Sequence, residues 1–126
     1  MQSDKQILGA YGEQATCNYL IQNGFTICAT NYKRKTGEID IIACKDRTYV
    51  FVEVKTRSNA YFALSDVITR TKQLKIIRTA LLFKVEQLST LKNPINMRFD
   101  VALIERNPHE TLTYIPNAFT ADTACW

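Results

Sequence analysis

Soft-metal ligands are few and scattered in this sequence. Its cysteines, Cys17, Cys28, Cys44 and Cys125, form no CxxC pair, and His109 is the one histidine. A zinc site needs clustered thiolates and imidazoles, so reduced cysteines acting as small hydrophobes are the simpler reading. Glycine is rare as well, with 4 residues. No glycine-rich loop of the kind that cradles phosphates is present, which argues against an enzyme acting on small phosphates. No apolar run approaches the roughly 18 residues of a membrane span. The opening MQSDKQ lacks the charged-then-apolar pattern of a signal peptide. A cytoplasmic protein with no membrane partner is expected.

What is present fits ordinary globular folding, with 46% hydrophobic and 22% charged residues over 126 positions. That length suits one domain, 1–126, burying roughly two-thirds of its unfolded surface. Sixteen Lys and Arg against twelve Asp and Glu leave a formal charge of +4. The excess is compatible with a phosphate-rich partner, but its distribution matters more than its total.

Ser3 and Gln6 form a candidate capping box, and Asn23-Gly24 supplies a stop, so a first helix is expected between them. Leu8, Tyr11, Ala15 and Tyr19 recur at helical spacing, and Ala10, Cys17 and Leu20 form a second stripe. Glu13 falls on that second stripe, an acid on an apolar face. Phe25 to Ala29 reads as an edge strand, followed by a basic turn from Lys33 to Gly37. Two strands, Glu38–Ala43 and Thr48–Thr56, are joined by a polar hairpin loop over 44–47. A second helix is expected from about Asp66 to Val85, with Leu74, Ile77 and Leu81 inward and Lys72 and Lys75 largely outward. A strand over Arg98–Ile104 and a shorter one over Leu112–Ile115 follow, before a Pro116-Asn117 turn. The order α-β-β-β-α-β-β describes an α/β protein, a mixed sheet flanked by helices.

The hairpin carries the chemistry. Alternation puts Phe51, Glu53 and Lys55 on one face of their strand, and Glu38, Asp40 and Ile42 on one face of theirs. Pairing 43 with 48 places Asp40 opposite Phe51. A shift of two residues places it opposite Glu53. Either register gathers both carboxylates and Lys55 on one side, and a one-residue slip separates them. Acids in strands as apolar as IDIIA and VFVEV are costly to bury without a counter-ion. Lys55 could neutralise one; Mg²⁺ (or Mn²⁺), held by Asp40, Glu53 and the backbone carbonyl of Val54, is the stronger answer. Such an ion would polarise a phosphodiester and acidify a water, with Lys55 orienting or deprotonating that water. The competing reading of E-x-K is a plain salt bridge on a solvated strand face.

The segments GEQA (Gly12 to Ala15), NYKRKTGEIDIIA (Asn31 to Ala43), FVEVKTR (Phe51 to Arg57), RFDV (Arg98 to Val101) and NAF (Asn117 to Phe119) resemble the YraN-like family of small bacterial proteins. The resemblance implies a restriction-endonuclease-like, PD-(D/E)xK fold similar to that of Holliday-junction resolvases. It further implies that Asp40, Glu53 and Lys55 form the metal site, with Glu13 reaching in from the first helix as another acidic ligand. This chain departs from the family over Ser58 to Val67, where Ala60 to Leu64 replace a glycine-containing segment.

Lys33, Arg34, Lys35 and Arg57 flank the acidic centre, and Lys72 and Lys75 decorate the second helix. Together they suit a clamp on a nucleic-acid backbone, which positions without reading sequence; the resemblance implies a phosphate contact for Lys72. Arg98 and Asp100 read as a structural ion pair, expected to tie their strand to the first helix. The leading expectation is a metal-dependent endonuclease on structured DNA rather than RNA, with a homodimer needed if two strands are cut symmetrically. The alternative is a non-catalytic nucleic-acid or protein binding module that keeps the nuclease fold.

Overall fold

The computed structural model describes residues 4–57, 68–106 and 109–121, with side chains from residue 9 onward. Its elements run α1 (Asp4–Gln22), β1 (Thr26–Arg34), β2 (Gly37–Lys45), β3 (Thr48–Arg57), α2 (Arg70–Leu88), β4 (Asn96–Glu105) and β5 (Thr111–Phe119). The strands form one mixed sheet in the order β1-β2-β3-β4-β5, in which β3 and β4 are parallel and every other pair antiparallel. The expected order of elements is the observed one. The departure segment Ser58 to Val67, the proposed cap Ser3 and the start of the second helix at Asp66 lie outside the described residues.

Helix α1 ends where Asn23-Gly24 said it would. Gly24 adopts φ +88, and the Phe25 amide donates back to the Leu20 carbonyl at 3.0 Å, the closure that a left-handed glycine permits. The buried face of α1 differs from both predicted stripes. Tyr11 is 44% exposed, whereas Gly12, Thr16 and Leu20 are buried. Close approach decides this. A Cβ on Gly12 would lie 2.5 Å from Thr56 Oγ1 and 3.3 Å from Val54 Cγ1, so glycine lets the helix rest directly on β3. Small residues, not large ones, mark the contact.

Helix α1 covers one face of the sheet with Leu20 over Ile41, Val50, Val52 and Ala102. Helix α2 covers the other with Ile76, Ile77, Ala80 and Phe83 over Ile42, Phe51, Phe99 and Val101. Leu74 is only half-buried and Leu81 is exposed, so the inner face of α2 is rotated from the one expected. Thr69 caps this helix: its hydroxyl accepts from the Lys72 amide at 3.2 Å, and the helix starts at Arg70.

The last two strands also differ from expectation. Strand β5 runs past Pro116-Asn117 instead of turning there, with a bulge opposite the stretch from Phe99 to Val101 and Asn117 at φ 52. Asp100 explains it. This fully buried carboxylate accepts from Arg98 Nε and Nη2, both at 2.9 Å, and from the Asn117 amide at 2.8 Å. The Tyr114 hydroxyl donates to it as well. The Arg98–Asp100 ion pair is therefore structural, and it ties β4 to β5 rather than to α1.

Two stability outcomes follow from these contacts. Gly12→Ala should destabilise by about 1–3 kcal/mol through overpacking, although alanine ordinarily favours a helix over glycine. Thermal melts of Gly12→Ala with and without Thr56→Ala should show the second change restoring part of the loss. Asp100→Ala strands Arg98 and should cost about 3–5 kcal/mol in chemical denaturation.

Candidate functional site

The β2–β3 hairpin closes with two residues, Asp46 and Arg47, at φ 49 and φ 66. Lys45 then pairs with Thr48, and the ladder continues to Ile41 opposite Val52. This is the second of the two registers considered above, the one that carries Asp40 toward Glu53. Beyond Ile41 the strands part. Asp40 turns its carboxylate into the gap, where Oδ2 accepts the Val54 amide at 2.8 Å. Simple alternation breaks here: Ile39 joins the core cluster of Ile42 and Phe51, while Ile41 joins that of Val50 and Val52.

The result is a cleft of about 220 Å³ lined by Gly37, Glu38, Asp40, Glu53, Lys72, Lys75 and Ile76. It opens beside the first turns of α2, whose N-terminal dipole favours negative charge. Gly37 brings β2 against that helix, since a Cβ there would sit 3.2 Å from both Lys75 Cβ and Thr79 Oγ1. Glu53 is buried within β3, and Lys72 Nζ lies 2.8 Å from its Oε1.

Burial, and then the neighbouring Glu53 charge, push the Asp40 carboxyl up to about 7; the Val54 amide and Lys72 oppose the shift. Glu13 on α1 stands near Asp40. Its carboxyl is raised by burial first and Asp40 second, against a hydrogen bond with Asn31. The residues lining the cleft do not include Glu13.

The predicted residues divide accordingly. Asp40, Glu53, Lys72 and Lys75 meet in the cleft. Val54, predicted to offer its carbonyl, is outside the lining, and its amide donates to Asp40. Lys55 is exposed one step past Val54 on β3, outside the lining. Lys33 and Arg34 belong to β1 rather than to a turn, Lys35 lies in the turn after them, and Arg34 is bound to Glu86 at 3.0 Å. Arg57 pairs with Glu105 at 3.3 Å. The expectation that Lys72 points outward is corrected. Lys72 turns to Glu53 because α2 buries Ile76, Ala80 and Phe83, and Lys72 precedes Ile76 by one turn; Lys75 stays exposed at the rim of the cleft. A stripe traced back from Phe83 to the cap at Thr69 would have shown this.

A larger cavity of about 390 Å³ lies on the α1 face, lined in part by Tyr19, Lys45, Arg98 and Tyr114. Its cations are engaged, Arg98 with Asp100 and Lys45 with the Asn23 carbonyl, and it offers no paired acids. The 220 Å³ cleft is the one of the two that gathers paired acids with lysines. Among the described residues no three acids, histidines or cysteines stand close enough to enclose a metal. Magnesium is commonly held by one or two carboxylates, with water and substrate phosphate completing the shell. The hard oxygens of Asp40 and Glu53 fit such an open site and not a closed one.

A family model described as "Uncharacterised protein family UPF0102" matches residues 12–104. A "UPF0102 protein" of Treponema pallidum (strain Nichols) is 37% identical over 124 residues, covering 94% of this chain and 97% of the relative. Another, from Caldicellulosiruptor bescii, is 44% identical over 101 residues, covering 79% and 82%. A third, from Desulfosudis oleivorans, is 38% identical over 125 residues, covering 98% of each. The chain belongs to the UPF0102, or YraN-like, family.

The raised proton affinity of Asp40 has a signed consequence for stability. The folded chain holds this proton between about pH 4 and about pH 7, whereas the unfolded chain releases it near pH 4. Folding stability contributed by this group therefore falls as pH rises through that window and levels off above it. In chelator, Asp40→Asn should raise the melting temperature by roughly 5 °C at pH 8 and by little at pH 4. Equal shifts at both pH values would contradict the assignment.

Proposed function

We propose that this UPF0102 protein is a metal-dependent endonuclease of the PD-(D/E)xK type, hydrolysing phosphodiester bonds in structured DNA. One observation carries the reading. Two acids from neighbouring strands, Asp40 and Glu53, share a cleft with Lys72 and Lys75 at the start of α2. A stability-driven core does not gather partly unbalanced carboxylates, and perturbed acids in a cleft are the usual mark of a working site. The PD-(D/E)xK pattern itself supports it, with D40 on β2 and E53-x-K55 on β3.

Asp40 and Glu53 would hold Mg²⁺ or Mn²⁺, which would supply charge to the phosphate oxygens and lower the pKa of a water. Lys55, alternating onto the Glu53 side of β3, would orient that water or receive its proton. Lys72 and Lys75 face the same cleft and would fix the phosphodiester. The water oxygen bonds to phosphorus, one P–O ester bond breaks, and the leaving oxygen takes up a proton. Lys33 and Lys35 are exposed and would add phosphate contacts, while Arg34 and Arg57 would have to exchange Glu86 and Glu105 for phosphate. A two-fold dimer would be required for symmetrical cuts in two strands.

A second reading is favoured by the Lys72–Glu53 pair. With one acid already neutralised by a lysine, the fold could serve as a nucleic-acid or protein binding module that does not cut.

A panel of branched DNA, nicked duplex, single strand and structured RNA, incubated in Mg²⁺ and Mn²⁺, separates the two. Cutting of branched DNA is expected, reduced at least about 100-fold in Asp40→Ala and Lys55→Ala. Salt-sensitive binding without cutting would select the binding module. Cutting that survives in Asp40→Ala would remove the metal site.

A further inference from the structure

We propose that Lys72 is a stand-in for the metal: it occupies Glu53 in the metal-free chain, is displaced when a divalent cation enters, and then binds the substrate phosphodiester. The inference rests on the metal-site reading above and names how that site is held while empty.

The pair is asymmetric in a way that suits exchange. The Glu53 side chain is 8% exposed and fixed within β3, while the Lys72 side chain is 43% exposed. The acid has nowhere to go, but the ammonium has a path to solvent along a flexible four-carbon stem. The backbone of Lys72 is held in the first turn of α2 by the Thr69 cap. Departure from Glu53 therefore moves the ammonium within reach of the same cleft and does not dissolve the helix.

Competition is built into the charges. A cation bound to Glu53 repels an ammonium 2.8 Å from the same carboxylate. Each therefore weakens the other's hold, and the coupling is reciprocal. The other basic residues differ. Arg34 and Arg57 are paired with Glu86 and Glu105, acids that do not line the cleft. Lys75 lines the cleft but makes no ion pair among the described residues, so nothing has to be exchanged to free it. Lys72 alone among the described cations both neutralises a candidate ligand and can leave it.

The test uses the full chain and Mn²⁺ as the probe, with binding followed by the electron paramagnetic resonance of the free ion. Lys72→Met should tighten Mn²⁺ binding about tenfold, the scale of one charged hydrogen bond. Lys75→Met should change it much less, and Glu53→Gln should abolish binding. Equal tightening in the two lysine variants would assign the effect to net charge and overturn exchange. Native binding that Lys72→Met leaves unchanged or weakens also overturns exchange while sparing the metal site. No Mn²⁺ binding by any form overturns both. The handover has its own readout, affinity for branched DNA. Lys72→Met should weaken it several-fold in Ca²⁺ and change metal-free affinity by no more than about twofold. An equal loss in both conditions, or no DNA binding by the native chain in Ca²⁺, overturns the handover.

Discussion

The register between β2 and β3 is the constraint on which the site depends. Side chains alternate along a strand, so a slip of one residue would carry Glu53 to the α1 face and leave Asp40 without a partner acid. A two-residue turn whose residues both adopt positive φ fixes the count, because its twist matches that of the strands it joins. Asp46 and Arg47 accept that backbone without glycine, and Val50 and Val52 on one face and Phe51 on the other reinforce the register by burial. The parallel ladder to β4, with Glu53 level with Val101, locks β3 from its other side.

Two aspartates show how differently one structure treats the same group. Asp100 is fully buried and accepts from Arg98, Tyr114 and the Asn117 amide. Its lone pairs are used, and the network holds β5 to the sheet. Asp40 receives one amide hydrogen bond and faces Glu53. Burial without balance raises its proton affinity, whereas complete hydrogen bonding lets Asp100 stay buried as a structural anchor. The contrast separates a residue that the fold needs from one that the fold merely tolerates. That contrast is why the proposed function is centred on Asp40 and not on Asp100.

The two hairpin strands were legible because their cues were local: β-branched runs on either side of a polar turn. The helix stop at Gly24 was equally local. Helix faces were not. Large apolar residues drew attention to Tyr11 on α1 and Leu81 on α2, but the sheet selected Gly12 and Thr16 on one and Ile76 and Ala80 on the other. Close packing against a sheet rewards small residues at the point of contact, a preference that hydrophobic counting does not register. The inward turn of Lys72 escaped for the same reason. The run through Pro116-Asn117 escaped because its cause, the buried Asp100 carboxylate, is distant in sequence. Asp40 and Glu53 were legible as a pair, because the hairpin that joins them is short. The cation beside them was not, because it arrives from another element.

The sheet edges narrow the ways in which a partner can approach. Strand β1 carries a bulge between Ile27 and Ala29 and exposes Lys33 and Arg34. Strand β5 carries Pro116, which has no amide hydrogen to offer, and a bulge beside it. Bulges, charges and proline are the devices by which strands resist extension by another strand. Neither edge is suited to receiving an added strand, and α1 rests on the sheet too closely at Gly12 to admit a ligand between them. The cleft beside the first turns of α2 combines an opening with paired acids, lysines and the favourable end of a helix dipole. If the proposed function holds, a phosphodiester entering this cleft would meet Lys72 and Lys75 beside the acids.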